Sequence, residues 1–101
     1  MVELRGYIDE HGGKRFAQWL EGLDATAAAR VTIALARMEH GNLSNARGAG
    51  AGVFEYKIDF GPGYRIYFVA RGDTVVILLC GGDKRTQHRD IKRALDLARE
   101  V

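Results

Sequence analysis

Apolar residues recur at helical spacing in two stretches of the first half of the chain. In the first stretch they occupy positions i, i+3, i+4 and i+7, as Phe16, Trp19, Leu20 and Leu23. A second stripe follows Asp24, a possible helix cap, and stops at Gly41; it contains Ala27, Val31, Ala34, Leu35 and Met38. The pattern predicts two adjacent helices in an antiparallel hairpin, with Trp19 and Met38 in the core.

The second half of the chain alternates or runs apolar as strands do. Residues 53–60 alternate, and 64–70 and 74–80 are apolar runs bounded by turn residues, with Gly81 and Gly82 predicted to end the third run. A short strand is also predicted over residues 2–8, and a last helix follows Asp83 or Thr86 as cap, with a core stripe of Ile91, Ala94, Leu95 and Ala98. The glycine-rich stretch 41–52 is predicted to be a flexible surface connection.

The order strand, helix, helix, strand, strand, strand, helix predicts an α+β fold. An antiparallel sheet would pack one face on the N-terminal helical hairpin and leave its other face partly open, bordered by the C-terminal helix. With 101 residues and 47% hydrophobic content, the chain is expected to form one domain over residues 1–101.

The hairpin of the second half decides which side chains meet. If Gly61, Pro62 and Gly63 form a three-residue connection, Phe60 faces Tyr64, Asp59 faces Arg65 and Lys57 faces Tyr67. One face then carries Lys57, Asp59, Arg65 and Tyr67. The opposite face supplies the core residues Phe54, Tyr56, Ile58, Ile66 and Phe68. We therefore expect a shallow concavity lined by cations and a phenol on the open face.

The positive charge of the chain is small in total but concentrated near the C-terminus. The formal net charge is only +2, but Lys84, Arg85, Arg89, Lys92 and Arg93 stand against Asp90 alone within residues 84–93. Such a helix attracts phosphate, although a solvated helix face has the same composition. The lone Cys80 ends an apolar run and has no disulfide partner, and no signal peptide or membrane-spanning run is present; a cytoplasmic protein without membrane association is expected.

Several kinds of site are not expected. The three histidines and Cys80 lie on separate predicted elements without ligand spacing, so the sequence predicts neither a metal nor a cofactor. The glycines of residues 48–52 match neither a dinucleotide nor a phosphate-loop motif. Ser44, in the predicted loop, and Cys80 lack the partners that nucleophilic catalysis requires.

Two long motifs carry a resemblance to a known family. The stretches EYKIDFGPGYRIYF and LLCGGDKRTQHRDI resemble the RelE/ParE toxin superfamily, in particular the HigB-like addiction-module killer proteins. The resemblance implies the toxin of a type II toxin–antitoxin system that cleaves messenger RNA on the ribosome. It also implies a cognate helix-turn-helix antitoxin, through which operator DNA would be bound.

RNA cleavage by the 2′-hydroxyl needs a proton acceptor, cations that stabilise the phosphorane, and a donor for the leaving oxygen. Lys57 and Arg65 suit the cationic role and match the lysine and arginine of similar RelE-type enzymes. Tyr67 could stack on a base or donate a proton, Lys84 matches the lysine of the second motif, and His88 could act as acid or base. The expected RNA contacts are Arg85, Gln87, Arg89 and Lys92.

Other interpretations stay open at this stage. Lys57 could be a plain surface lysine, His88 an exposed helix residue, and Asp59 only an ion-pair partner that orients Arg65. For the whole chain, the alternatives are a ParE-like inhibitor of DNA gyrase, which needs no RNA chemistry, and a nontoxic module that only binds the antitoxin. Convergent cations favour the nuclease, since a pure binder does not need them.

Overall fold

The computed structural model describes residues 1–101 as a mixed sheet with helices on both faces. Its elements are β1 (Glu3–Gly6), α1 (Arg15–Glu21), α2 (Ala25–Glu39), β2 (Ala46–Gly50), β3 (Val53–Ile58), β4 (Tyr64–Arg71), β5 (Val75–Asp83), a 3₁₀ turn (Lys84–Thr86) and α3 (Gln87–Ala98). The strand order is β1-β5-β4-β3-β2. The predicted α+β class is confirmed.

The prediction of a purely antiparallel sheet is wrong. Strands β2 to β5 pair antiparallel, but β1 runs parallel to β5 at the other edge. Parallel neighbours need a long connection between them, and here the connection contains the helical hairpin and the remaining strands. None of the helices combines the length and apolar character that a bilayer span requires.

The predicted helical hairpin is confirmed, and the apolar side of its two helices packs against one face of the sheet. Asp24 caps α2 by accepting from the backbone N–H of Ala27 at 2.8 Å, and Gly41 follows the helix at a φ of 84°. The first core cluster contains Phe16, Val31, Ala34, Met38, Tyr56, Ile58, Ile66, Phe68, Val76 and Leu78. Phe54, expected in this core, stacks on Phe68 but is 37% exposed at the margin.

Helix α3 covers the opposite face of the sheet, which corrects the prediction of an open face. A second core cluster lies there, formed by Val53, Tyr67, Leu79, Cys80, Ala94 and Leu97. Because this face also carries apolar residues, burying them under an amphipathic helix is more favourable than leaving them in water. Strand β5 also runs through Gly81 and Gly82 to Asp83 rather than ending at the glycines.

The stretch predicted as a flexible loop contains an additional edge strand. Strand β2 pairs with β3, with Ala46 opposite Tyr56 and Arg47 opposite Glu55. Its turn into β3 uses Ala51 and Gly52, whose φ values of 51° and 80° are those of a type I′ hairpin. Small side chains gave no alternation of hydrophobicity, so the strand was not recognisable from its pattern.

The register of β3 against β4 differs from the predicted one by two residues. Lys57 lies opposite Arg65, Glu55 opposite Tyr67 and Ile58 opposite Tyr64. The connection therefore spans residues 59–63 instead of three residues, and Asp59 lies in the turn, where it is not the cross-strand partner of Arg65. A shift by an even number keeps every side chain on its predicted face.

Candidate functional site

A buried carboxylate, Glu55, lies at the centre of the polar residues between the sheet and α3. It is 3% exposed, and its Oε2 accepts hydrogen bonds from Tyr67 Oη at 2.9 Å and from Gln87 Nε2 at 3.0 Å. Two arginines pair with it, Arg65 at 3.7 Å and Arg47 at 3.5 Å. Glu55 thus joins β2, β3, β4 and the first turn of α3 through side chains.

Arg65 lies on the predicted face but is 4% exposed, so the expectation of an open position is wrong. Its Nη1 donates to the carbonyl of Gly63 at 2.6 Å, which folds the guanidinium back against the β3–β4 turn. Its Nε is buried and makes no hydrogen bond, although it lies 3.7 Å from the Glu55 carboxylate. The arginine is consequently held by one strong hydrogen bond and one charge partner.

Tyr67 is fully buried, which corrects the expectation that its ring could stack on a base. Burial, and then the hydrogen bond to Glu55, raise the pKa of Tyr67 far above its usual value. The phenol therefore stays protonated and donates to the carboxylate. In this position Tyr67 orients Glu55 and does not reach a nucleic acid.

Two exposed lysines border the buried Arg65. Lys57 lies directly across the strand pair from it, and Lys84 begins the 3₁₀ turn, where its backbone N–H donates to the carbonyl of Pro62 at 3.3 Å. A methyl group built on Gly63 would lie 3.1 Å from Arg65 Nη1 and 3.8 Å from Lys84 Cβ. Neither lysine forms a salt bridge. We call Lys57, Arg65 and Lys84 the cationic cluster.

The predicted RNA contacts separate into three locations. Gln87 is half-buried against Glu55, and Arg85 pairs with Asp83 at 3.0 Å, an interaction that holds the pKa of Asp83 below its usual range. Arg89 and Lys92 lie on the flank of α3 that faces α1, away from Glu55. His88 is exposed and has no ion pair, so the structure does not bring it into the cationic cluster.

Sequence reasoning missed Glu55, Arg47 and the placement of Asp90. Glu55 follows the same alternation as Lys57 and Arg65, and an acid between apolar strand residues was the available signal. Asp90 is 3% exposed and lies against Gly82, where a Cβ atom would collide with its carboxylate. No group of three or more His, Cys, Asp or Glu side chains is arranged to hold a metal ion.

A family model and one relative match most of the chain. Residues 18–101 match the model of the family described as "Phage derived protein Gp49-like". An uncharacterized protein of Haemophilus influenzae is 42% identical over 87 residues, which cover 85% of this chain and 88% of that protein. The family match includes the second core cluster, all of the first except Phe16, the cationic cluster and Glu55.

Proposed function

The chain belongs to the phage-derived Gp49-like family, and from this we propose that it is the toxin of a type II toxin–antitoxin module. The family is one of RelE-like toxins, which supports this assignment. The proposal extends to the RelE/ParE-like character of the domain over residues 1–101. It also extends to a cognate helix-turn-helix antitoxin, through which operator DNA is bound.

For the toxic activity we propose cleavage of messenger RNA on the ribosome. The observation that carries this proposal is the cationic cluster. Lys57 and Arg65 lie directly opposite each other on β3 and β4, and both Arg65 and Lys84 lie close to Gly63. Three positive groups near one point can stabilise the extra negative charge of a phosphorane formed by 2′-hydroxyl attack. The exposed Lys57 and Lys84 would contact the phosphate, and Arg65 would act from beneath them.

Proton transfer within this mechanism falls to the exposed lysines. Lys57 and Lys84 each carry an exposed ammonium group that can donate a proton to the leaving oxygen. Glu55 is not assigned as the base, because its Oε2 already accepts from Tyr67 and Gln87. We assign Glu55, Tyr67 and Gln87 as positioning residues that hold Arg65 and α3.

The test is the mapping of messenger 5′ ends in a translating extract with wild type and the Lys57→Ala/Lys84→Ala variant. Both lysines are exposed and unpaired, so the variant should fold. We expect cleavage to fall about a hundredfold or more for each cation lost from the transition state. A Lys14→Ala/Arg71→Ala variant, which removes two exposed cations elsewhere, should cleave as wild type does.

Three results would contradict the proposal. Unchanged cleavage in the Lys57→Ala/Lys84→Ala variant would remove the site assignment. Intact messages with altered DNA topology would replace the nuclease by a gyrase inhibitor. Intact messages, unaltered DNA topology and normal growth, with retained binding of the antitoxin, would leave only a nontoxic binding module.

A further inference from the structure

A second polar hollow lies on the flank of α3 that faces α1, on the other side of that helix from Gln87 and Glu55. It has a volume of about 420 Å³, with Trp19, Gly81 and Gly82 among its lining residues. It continues along α3 into a hollow of about 290 Å³ that shares Arg15, Arg89 and Arg93. We call the two together the α1–α3 groove.

The groove contains cations that are free to bind a ligand. Arg15, Lys92 and Arg93 form no salt bridge, and Arg89 has only a 3.8 Å approach to Asp90. Three acidic residues of the groove are engaged outside it: Asp83 with Arg85 at 3.0 Å, Asp96 with Arg99 at 3.3 Å, and Glu100, which accepts a hydrogen bond from Tyr7 Oη at 3.4 Å. Unpaired guanidinium groups beside an open hollow favour a ligand with phosphate oxygens.

The wall of the groove carries features that a simple anion site does not need. A Cβ atom on Gly81 would collide with the Trp19 indole, and one on Gly82 with the Asp90 carboxylate, so the two glycines let both groups lie close to the sheet. Asp90 is 3% exposed and accepts from Thr86 Oγ1. An aromatic ring and a carboxylate acceptor beside arginines suit a base, hydroxyl groups and phosphates together.

We propose that the α1–α3 groove binds single-stranded RNA, with Arg15 and Arg93 contacting backbone phosphates and Trp19 contacting a base. The inference rests on the proposed function and adds a second contact for the strand that is cleaved at the cationic cluster. Arg89 and Arg93 are one helical turn apart, about 5 to 6 Å between Cβ atoms, a spacing comparable to that of consecutive phosphates. An acidic peptide fits less well, since its carboxylates bring only acceptors toward Asp90.

The experiment titrates the full chain with a ten-nucleotide single-stranded RNA and follows the fluorescence of Trp19, the only tryptophan. We expect wild type to show quenching that weakens with salt. In the Arg15→Ala/Arg93→Ala variant, affinity should fall about tenfold or more, and the slope of log K against log salt should drop by about 1.4 in magnitude. An Arg37→Ala/Arg71→Ala variant removes two exposed positive charges outside the groove and should keep the quenching.

Unaltered affinity and quenching in the Arg15→Ala/Arg93→Ala variant would overturn the assignment. A poly-glutamate peptide that quenches Trp19 as effectively as RNA would assign the groove to an acidic polypeptide instead. The proposed function is tested separately, because the Lys57→Ala/Lys84→Ala variant alters cleavage without touching the groove. Loss of cleavage there, with RNA quenching of Trp19 unchanged, would support both proposals independently.

Discussion

Glu55 and Glu3 each pair with an arginine, but in different surroundings. The exposed pair is the shorter, with Arg5 Nε 2.6 Å from Glu3 Oε2, while Arg65 Nε lies 3.7 Å from Glu55 Oε2. In the exposed pair water solvates either charge when its partner is lost. In the buried pair the remaining charge has no such compensation, so removing one partner there is costly whatever the distance.

Replacing Glu55 by Gln should destabilise the fold strongly. The substitution keeps the size of the side chain but leaves the guanidinium of Arg65 buried without a counter-charge and weakens the acceptor for Tyr67 and Gln87. We expect the free energy of unfolding to fall by about 3 to 5 kcal/mol. Urea unfolding at pH 7, followed by circular dichroism, measures this loss.

Glu3→Gln is the matched control for the Glu55 variant. It breaks an ion pair whose side chains are 61% and 56% exposed, and it should change stability by less than about 1 kcal/mol. Equal losses in the two variants would contradict the argument from burial. Adding Arg65→Gln to the Glu55 variant should recover part of the loss, since the uncompensated charge is then removed.

At the level of single side chains, alternation predicted that Lys57, Arg65 and Tyr67 share one face of β3 and β4 but not how exposed each of them is. Lys57 and Arg65 share a face as expected, yet Lys57 is exposed and Arg65 is buried. The difference depends on where α3 lies, because its first turn brings Gln87 to Glu55 beside the arginine. That contact joins residues 32 positions apart, and no local pattern indicates it.

Among the elements, the β2–β3 hairpin carries a strained residue. Ala51 has a φ of 51°, a left-handed conformation that costs an L-residue about 1 to 2 kcal/mol, and it precedes Gly52 in the turn. Type I′ turns favour Asn followed by Gly at these two positions. The natural sequence therefore places a less favourable residue in an otherwise suitable turn.

Ala51→Asn should stabilise the hairpin. Asn adopts the left-handed region more readily than Ala, so we expect a gain of about 0.5 to 1 kcal/mol in the free energy of unfolding. Thermal unfolding measures it as a rise in Tm. Ala51→Val is the opposite control, because a β-branched residue at positive φ should destabilise the chain; a gain in both variants would contradict the assigned turn.

The elements differ in how well their patterns predicted them. Both hairpin helices were recognisable because their apolar stripes persist for several turns, as in Val31, Ala34 and Met38. Strand β2 was not, because alanine and glycine on both of its faces carry little hydrophobic contrast. The β3–β4 register was missed because Gly61-Pro62-Gly63 fits a connection of three residues and also one of five. The two connections give registers that differ by two residues, and both keep the same side chains on each face.

For the whole molecule, the two faces of the sheet are both covered, and this arrangement buries two groups that can lose a proton. Cys80 and Tyr67 lie in the cluster beneath α3. Burial raises the pKa of Cys80 to about 12, and the carboxylate of Asp90 adds to the effect. The pKa of Tyr67 is raised in the same direction by burial and by Glu55. Packing of α3 on the sheet thus requires both groups to stay neutral.

We expect this packing to limit stability at alkaline pH. Both pKa values are higher in the folded chain than their ordinary values of 9.0 and 10.0, so the folded state holds protons that the unfolded state releases. The stabilising contribution of these two protonated groups to the folded state is complete below pH 9 and is lost as pH rises. Between pH 10 and 12 each group should lower the free energy of unfolding by about 1.4 kcal/mol per pH unit.

Urea unfolding of wild type, Cys80→Ala and Tyr67→Phe at a series of pH values from 8 to 11 measures the effect. Each variant removes one titrating group, so above pH 10 its stability should fall less steeply than that of wild type by about 1 kcal/mol per pH unit, whatever its stability at pH 8. Lysine deprotonation acts alike in all three proteins and does not alter the difference between their slopes. Parallel slopes would mean that α3 leaves the sheet before either group is forced to ionise, because an open second face lets the thiol and the phenol titrate in water.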